Sequence, residues 1–435
     1  MVEDRPSKEE MVRRLLERYR KLLEEKLPDE PGTLEEIERI TEEIGNDTRR
    51  DIENECVSYH GSGYLGWKIR CSCGGTAIFK YHKDKRQQTL SSELVISRAY
   101  YHCKSCGHGF APLDSVLGLD SLCTSVGVRT KLARLASWIP FEEVSTELAQ
   151  LCGIHVSRNT AQRVSELMGK RIGEQQQDRE EEVLSGRSEH SSVQPERLYV
   201  AIDGVHVPMR NGDWREAKAG VVYETYSRDG KVLIKKPEYV ATLERVESFA
   251  GKVYTRAHDR GVENAAEVVT LGDGASWIWK SFSYHYPNAV QILDFYHASE
   301  HLHEVARAWY GDGTTRQKNW VEARRVDLLS DSVETAIRSM RSWHPTDPEA
   351  KEIRRKNLAY FETNKERMRY ATFQAQGYHI GSGLVESACK MVVGQRLKQS
   401  GMRWSETGAE QIMQLRAYLL SHRDADLRPF ARAIA

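Results

Sequence analysis

The chain lacks any long apolar segment. Its longest run free of Asp, Glu, Lys and Arg, residues 370–385, is interrupted by Gln and Gly. That run is shorter than the roughly 20 apolar residues that a membrane-spanning helix requires. The opening residues, Val2-Glu3-Asp4-Arg5, also lack the basic start and the apolar core of an export signal. We therefore expect a soluble protein that stays in the cytoplasm.

A net charge of one sign is also absent, because 63 basic residues balance 63 acidic ones. The charges are nevertheless separated into blocks, with net −7 for residues 1–55 and net +7 for each of residues 56–172 and 351–423. Separated charges create local fields, so the two basic blocks could each follow a phosphate backbone. Ordinary solvated helix faces explain the same blocks equally well. A length of 435 residues predicts about three domains.

Residues 1–55 are expected to form a helical N-terminal region. An amphipathic stripe recurs there every three or four residues, formed by Val12, Leu16, Tyr19 and Leu23. Such a stripe has some coiled-coil character, and it fits either docking on the chain itself or self-association. Pro28 and Pro31 are expected to end the first helix, and a second, acidic helix should follow to about Ile44.

Cysteines are few, eight in all, and a disulfide framework is not expected in a long cytoplasmic chain. Four of them form two short knuckles, each followed by Gly, at Cys71, Cys73, Cys103 and Cys106. Strand-forming residues separate the knuckles, so residues 56–115 are expected to form a zinc ribbon in which four thiolates bind one structural zinc ion. The first knuckle is Cys-x-Cys, so one ligand could instead come from Cys56, His82, His102 or His108.

Residues 116–172 have the pattern of a helix-turn-helix DNA-binding domain. Two apolar stripes meet at Cys152-Gly153-Ile154, and Ser157 is placed to cap the second helix. Polar side chains suited to base edges follow on that helix, at Arg158, Asn159, Gln162 and Arg163. Any helical hairpin would show the same apolar pattern. Residues 173–196, rich in Gln, Glu and Ser, are expected to be a linker.

Beyond the linker, apolar and β-branched runs predict three antiparallel strands and then alternating helix and strand, the order of an RNase H-like mixed sheet. Strands are expected at about residues 198–207, 219–226, 232–243, 268–272 and 289–295. Asp229-Gly230 predicts a hairpin turn, and a helix is expected from about Val262.

Acidic residues occur at two of these strands and on a late helix. Asp203 lies within the first strand, Asp273 ends the fourth, and Glu386 occupies the first turn of the helix. Singly, each fits an ordinary turn or a helix-start carboxylate. Together they form the carboxylate set that holds two divalent cations about 3.5–4 Å apart.

These segments resemble the DDE transposases of bacterial insertion sequences, in particular the ISKra group related to mutator-like elements. The resemblance covers about residues 66–420 and is carried by Ala-Ile-Asp203-Gly, Leu-Gly-Asp273-Gly-Ala, Asp294-Phe-Tyr-His297 and Gly-Ser-Gly-Leu-Val-Glu386. It implies an α/β, RNase H-like catalytic domain in two parts, residues 197–297 and 377–425, interrupted by a helical insertion over residues 298–376. Asp203, Asp273 and Glu386 would be catalytic and would bind two magnesium or manganese ions, with Asp294 and His297 in support.

The activity implied by this resemblance is cleavage and strand transfer at the terminal repeats of an insertion sequence. Double-stranded DNA would be the partner, bound by a homodimer or a higher oligomer associated with the nucleoid. Residues on or after the Glu386 helix could grip phosphates or stack on a base, namely Lys390, Arg396, Lys398, Arg403 and Trp404. Trp404 also fits a buried core position. A nuclease of the same fold without strand transfer and a domesticated DNA-binding regulator remain alternatives.

Overall fold

The computed structural model of the protein describes residues 7–30, 32–228, 231–381 and 389–432. Contacts within the chain divide it into two compact units. The first comprises the chain up to Met168 together with the C-terminal segment from Asp426, and the second comprises Gly169–Ala425. None of the helices in these described parts is both long and apolar enough to cross a membrane.

Two helices open the first unit, α1 (Lys8–Lys26) and α2 (Leu34–Ser58). A reciprocal capping box between Thr33 and Glu36 fixes the start of α2. The prediction that this helix ends near Ile44 is wrong, because α2 continues to Ser58. The buried carboxylate of Glu55 accounts for the extension, since it pairs with Arg14 of α1 at 3.0 Å. This tertiary contact outweighs the weak local preferences of the sequence around residue 45.

A four-stranded antiparallel sheet follows, in the order β1 (Lys68–Arg70), β2 (Thr76–Gln88), β3 (Glu93–Cys103) and β4 (Gly109–Phe110). The long hairpin of β2 and β3 pairs Ala77 with Cys103 at one end and Gln88 with Glu93 at the other. Buried Tyr101 anchors the sheet, because its hydroxyl donates to the Gly66 carbonyl at 2.9 Å. The hairpin therefore brings the turn before β2 and the turn after β3 to the same end of the sheet.

Four helices come next in the chain, α3 (Pro112–Leu117), α4 (Val126–Ala136), α5 (Phe141–Cys152) and α6 (Arg158–Leu184). Arg129 of α4 is almost completely buried and forms a bidentate pair with the carboxylate of Asp120. The same guanidinium donates to the Ala431 carbonyl at 2.8 Å. That bond ties the C-terminal segment to α4 within the first unit.

The expected linker over residues 173–196 is helical as far as Leu184, because α6 continues through it. Between Gly173 and Leu184 the sequence is mostly Gln and Glu, which are good helix formers, and it holds no further Gly or Pro. Ile172 and Val183 are buried, so tertiary packing supports the helix as well. The boundary between the two units falls within α6, after Met168.

The second unit contains a mixed sheet of β5 (Arg197–Pro208), β6 (Trp214–Arg228), β7 (Lys231–Thr242), β8 (Glu267–Gly272) and β9 (Val290–Leu293). Its order is β7-β6-β5-β8-β9, with β5, β6 and β7 antiparallel and with β5, β8 and β9 parallel. The central strand β5 is buried on both faces at Leu198–Ile202, which explains its unbroken apolar composition. The expected turn residues Asp229 and Gly230 lie outside the described residues.

The remaining α-helices of the described residues are α7 (Val246–Asp259), α8 (Ser276–His285), α9 (Phe295–Tyr310), α10 (Thr315–Leu329), α11 (Val333–Ser342), α12 (Pro348–Asn364), α13 (Tyr370–Ala375), α14 (Gln395–Leu397), α15 (Glu406–Ser421) and α16 (Arg428–Ala431). The helix expected from about Val262 lies earlier, as α7, and Val262–Asn264 is a single 3₁₀ turn. The reason is the apolar stripe of Phe249, Val253 and Ala257, which is buried at a spacing of four residues.

Candidate functional site

Three acidic residues lie where the parallel part of the sheet ends: Asp203 within β5, and Asp273 and Asp294 directly after β8 and β9. Asp273 directly follows β8 and Asp294 directly follows β9, and the two strands pair in register up to the residues just before these acids. Strand β5 pairs with β8 up to Ala201 opposite Leu271. Asp203 and Asp273 come two residues further along each strand. The register therefore brings the three acids to one end of the sheet, where sites of parallel sheets are usually built.

Asp203 is half-buried, and its surroundings disfavour its charge. Burial raises the pKa of the Asp203 carboxyl group, and the neighbouring carboxylate of Asp273 raises it further. A hydrogen bond from the Gly204 amide at 2.7 Å partly offsets this rise, as do the thiol of Cys389 and the imidazole of His297. The negative charges of the Asp203 and Asp273 carboxylates therefore repel each other, and a bound cation would relieve this repulsion.

Asp203→Asn should raise the Tm of the metal-free protein by a few degrees. Because the folded-state pKa of Asp203 lies above its unfolded value, its ionised form costs stability at neutral pH. That cost disappears as the pH falls through the folded pKa to the unfolded one, about 4. Calorimetry across this pH range should show the variant's advantage growing as the pH rises. The exposed Asp178→Asn serves as control, and an advantage that does not change with pH would contradict the prediction.

The turn that carries Asp273 is held by helix α12. The Asp273 carboxylate accepts the Ala275 amide at 2.9 Å, and its backbone carbonyl accepts the Tyr360 hydroxyl at 2.9 Å. Gly274 has a φ of +104°, and a Cβ at this position would lie 2.4 Å from a carbon of the Tyr360 ring. Both the backbone conformation and the close approach of the ring therefore require glycine after Asp273.

Asp294 and His297 lie at the start of α9. Asp294 is buried and caps the helix by accepting the Tyr296 amide at 2.9 Å. One turn on, His297 Nδ1 lies 3.4 Å from the carboxylate of Glu300. The cap fixes the first turn of α9, and this turn keeps His297 within electrostatic range of Asp203.

Glu386, the third carboxylate of the expected set, lies outside the described residues, together with the rest of residues 382–388. The described chain resumes at Cys389, which begins a π-helical turn, Cys389–Gly394, leading into α14. Cys389 is buried, and its thiol forms a hydrogen bond with Asp203. The segment that directly follows Glu386 in the sequence therefore contacts the first acid.

The expected DNA-contacting residues after Glu386 divide into two groups. Exposed side chains are found at Lys390, Lys398 and Arg403. Arg396 and Trp404 do not fit the prediction of a DNA contact, because both side chains are buried. The Arg396 guanidinium lies 5.0 Å from the centre of the Trp404 ring, and the indole Nε1 donates to the Leu397 carbonyl at 3.1 Å. Arg396 and Trp404 therefore stabilise the core of the second unit and face neither phosphate nor base.

The cysteine knuckles meet at the end of the first unit's sheet. All four sulfurs, of Cys71, Cys73, Cys103 and Cys106, lie within 4.8 Å of one another. Gly74 and Gly107, with φ of +85° and +72°, permit the tight turns that follow the cysteines. Among the described residues this group contains only cysteines, so it does not include the alternative ligands Cys56, His82, His102 and His108.

Two of the four thiols, those of Cys103 and Cys106, have strongly shifted pKa values. The backbone amide of Cys106, followed by that of Ser105 and neighbouring thiols, lowers the pKa of the Cys103 thiol to about 6. The His108 amide favours ionisation of Cys106, but the neighbouring sulfurs outweigh it and raise the pKa of Cys106 to about 12. Without a cation, Cys106 therefore stays protonated beside the ionised thiol of Cys103 at neutral pH. This donor set therefore fits a thiophilic metal such as zinc.

Helix α6 exposes the side chains expected to face DNA. Gly153, in the left-handed conformation, ends α5, and Ser157 caps α6 by accepting the Thr160 amide at 3.1 Å. Exposed or half-buried positions are occupied by Arg158, Asn159, Gln162 and Arg163. Arg158 lies 3.7 Å from Glu142 of α5, a weak surface pair that leaves the guanidinium available to another partner.

Two residues of the acidic site were not anticipated as functional. Cys389 follows Glu386 by three residues, and a helical spacing of three places side chains on one face. That spacing is a signal that could have identified it. Tyr360 reaches Asp273 from a separate helix, and no local pattern in the sequence points to this contact.

Comparisons with known proteins identify a family. A sequence model of UPF0236, described as an uncharacterised protein family, matches residues 76–427. A relative from Streptococcus gallolyticus, named "UPF0236 protein in vanSb 3'region", is 24% identical over 344 residues, which cover 76% of this chain and 71% of the relative. The range of the family model includes Cys103 and Cys106 but not Cys71 and Cys73, and it includes Asp203, Asp273 and Asp294.

Proposed function

We propose that this chain, which belongs to the UPF0236 family of uncharacterised proteins, is a DDE-type transposase that cleaves the ends of an insertion sequence and joins them to target DNA. One observation carries the proposal: Asp203 and Asp273 each lie two residues beyond the last paired residues of the adjacent parallel strands β5 and β8, and the carboxylate of Asp273 raises the pKa of Asp203. Two such acids in a partly buried site are costly unless they serve to bind cations.

The order of the strands supports an RNase H-like catalytic domain. Three antiparallel strands, β5 to β7, are joined by two strands, β8 and β9, that lie parallel to β5 on its other side. Helices α10 to α13 follow β9 and α9, and they lie within the proposed helical insertion over residues 298–376, which begins inside α9. The chain then returns at residues 377–425, where Cys389 contacts Asp203.

Magnesium or manganese fits the donor set of this domain, because carboxylate oxygens are the ligands that these hard cations prefer. Asp203 would hold both ions, and Asp273 and Glu386 would each hold one. When bound, the ions lower the pKa of a coordinated water or DNA 3′-hydroxyl and stabilise the oxygens that exchange at phosphorus. Asp294 caps α9, so its role is to position His297 beside this site.

Recognition of DNA is assigned to the first unit. Carboxylates that face phosphate through cations cannot distinguish one base from another. The zinc-binding cysteine cluster would stabilise the sheet, and α6 would present Arg158, Asn159, Gln162 and Arg163 to the major groove. Lys390, Lys398 and Arg403 would contact phosphates near the catalytic acids. Cleavage at both ends of an element would require a homodimer or a larger assembly on DNA.

A joining assay tests the function directly. The protein is incubated with magnesium, a labelled duplex carrying the DNA that flanks its own gene, and a target plasmid. A transposase yields labelled plasmid, whereas a nuclease of the same fold yields only cut duplex. Binding without any cut product would instead identify a DNA-binding regulator and would refute the proposal.

Replacing both Arg158 and Arg163 by Ala should weaken binding to the terminal repeats by about 10- to 100-fold. The two guanidinium groups lie on the exposed face of α6, where each contributes a charged contact to base or phosphate. Fluorescence anisotropy at two salt concentrations measures both the affinity and its salt dependence. Lys351 and Arg355 of α12, replaced together, provide a control of equal charge that should change the affinity less. Equal losses in the two double variants would place end recognition elsewhere.

A further inference from the structure

A second group of metal-ligating side chains lies in the second unit, formed by His190, His258 and Glu263. One potential ligand atom from each residue lies within 4.8 Å of the others. The two imidazole rings are stacked with their centres 5.9 Å apart. None of these residues belongs to the cysteine cluster. They are also separate from Asp203, Asp273 and Asp294, which we call the strand-end acids.

His258 is the buried member of the group and is 4% exposed. Within the part of the chain that the structure describes, no hydrogen-bond partner reaches its Nδ1 atom. A buried polar atom left without a partner costs about 1–3 kcal/mol, so native structures seldom retain one without a ligand, an ion or an ordered water. The Nδ1 atom of His258 is therefore open to a ligand, an ion or an ordered water.

Hydrogen bonds between the chain neighbours of these three residues hold them together. Ser191, next to His190, donates through Oγ to the carbonyl of Asp259, which follows His258, at 3.2 Å. Asn264, next to Glu263, donates through Nδ2 to the Ser191 carbonyl at 2.6 Å. The backbone of all three segments is thus fixed by contacts independent of the three side chains themselves. Such preorganisation reduces the cost of assembling a metal site.

The carboxylate of Glu263 has a further support of the kind that orients metal ligands. Tyr254 of α7 donates its hydroxyl to Glu263 Oε1 at 3.0 Å. A hydrogen bond from outside the ligand set fixes the carboxylate's orientation and leaves its second oxygen for a cation.

We propose that His190, His258 and Glu263 bind a zinc ion. Two imidazoles and one carboxylate are a common three-residue zinc set, and neutral imidazole favours zinc over magnesium or calcium. His190 and Glu263 are exposed, so a water molecule would complete the coordination. The ion would hold the segment between α6 and β5, which carries His190, against the C-terminal end of α7. This site is independent of the proposed transposase activity.

Zinc content of the full-length protein tests the proposal. The protein is loaded with zinc, dialysed in the presence of excess magnesium to displace zinc from the strand-end acids, and examined by elemental analysis. We expect His190→Ala and Glu263→Gln to hold one zinc fewer than the wild type. Both replaced residues are exposed, so neither change should unfold the chain. The control variant His344→Ala replaces an exposed histidine in the loop after α11, and it should retain the zinc content of the wild type.

Cobalt substitution distinguishes this site from the other two. The cysteine cluster should give an intense thiolate-to-cobalt absorption, and the proposed site should add weaker visible bands that His190→Ala removes and Asp203→Asn leaves unchanged. An equal zinc content in His190→Ala, Glu263→Gln and His344→Ala would overturn the proposal. Loss of the same zinc in Asp203→Asn instead of His190→Ala would also overturn it, because the ion would then belong to the strand-end acids.

Discussion

Asp203→Asn or Asp273→Asn should lower the rate of magnesium-dependent DNA cleavage by about 10³-fold or more. Asn keeps the size of the side chain and its hydrogen-bonding oxygen but removes the charge that holds a cation. The Gly204 and Ala275 amides that donate to these two side chains can still donate to the Asn oxygen. Cleavage of a labelled terminal-repeat duplex, followed on denaturing gels, measures the rate.

Folding and DNA binding provide the controls for this loss. Circular dichroism and terminal-repeat affinity should remain at wild-type values in both variants, because recognition is assigned to the other unit. Asp178→Asn, an exposed replacement on α6, should cleave normally. Glu386→Gln should behave as the two catalytic variants do. Any one of the three variants that retains full cleavage removes its residue from the site.

Cys103→Ser should release one zinc equivalent from the protein and unfold the sheet of β1 to β4. Structural zinc sites contribute on the order of 10 kcal/mol in small domains, and the core cluster of this sheet is small, with five buried residues including Tyr101. Cys103 is itself completely buried at the end of β3. Limited proteolysis of the full-length chain, with fragments identified by mass, should show new cleavage within β2 and β3.

Cys56→Ser is the matched control, because Cys56 is an exposed cysteine of α2 outside the cluster. It should keep both the zinc and the protease resistance of the wild type. Chelation of the wild-type protein should reproduce the Cys103→Ser pattern, and added zinc should reverse it. A zinc-free Cys103→Ser protein with a resistant sheet would show that the ion does not support this fold.

Much of the local architecture could be predicted from the sequence, because the relevant signals are short-range. The apolar runs before Asp203 and Asp273 indicate buried strands, and Ser157 marks the start of α6. The lengths of helices were harder to predict. The extension of α2 depends on the contact between Glu55 and Arg14, and such a pair between separate helices leaves no periodic pattern in either one.

The composition of the sites could be predicted only where the residues are close in sequence. The cysteine knuckles are local motifs, whereas the approach of Tyr360 to Asp273 depends on how α12 packs. Arg396 was misleading for a related reason. An arginine among other basic residues suggests a phosphate contact, and only tertiary structure shows that its guanidinium lies over the Trp404 ring.

The close packing of Tyr360 against Gly274 places a constraint on how this family can diverge. A methyl group at position 274 and an aromatic ring at position 360 would occupy the same space, so a side chain at position 274 would displace the ring that supports the Asp273 turn. The two residues are distant in the gene, and the dependence runs in one direction, because a smaller residue at position 360 leaves Gly274 unhindered. A helix transplanted into the place of α12 would need to supply its own ring at this point, or the Asp273 turn would lose its support.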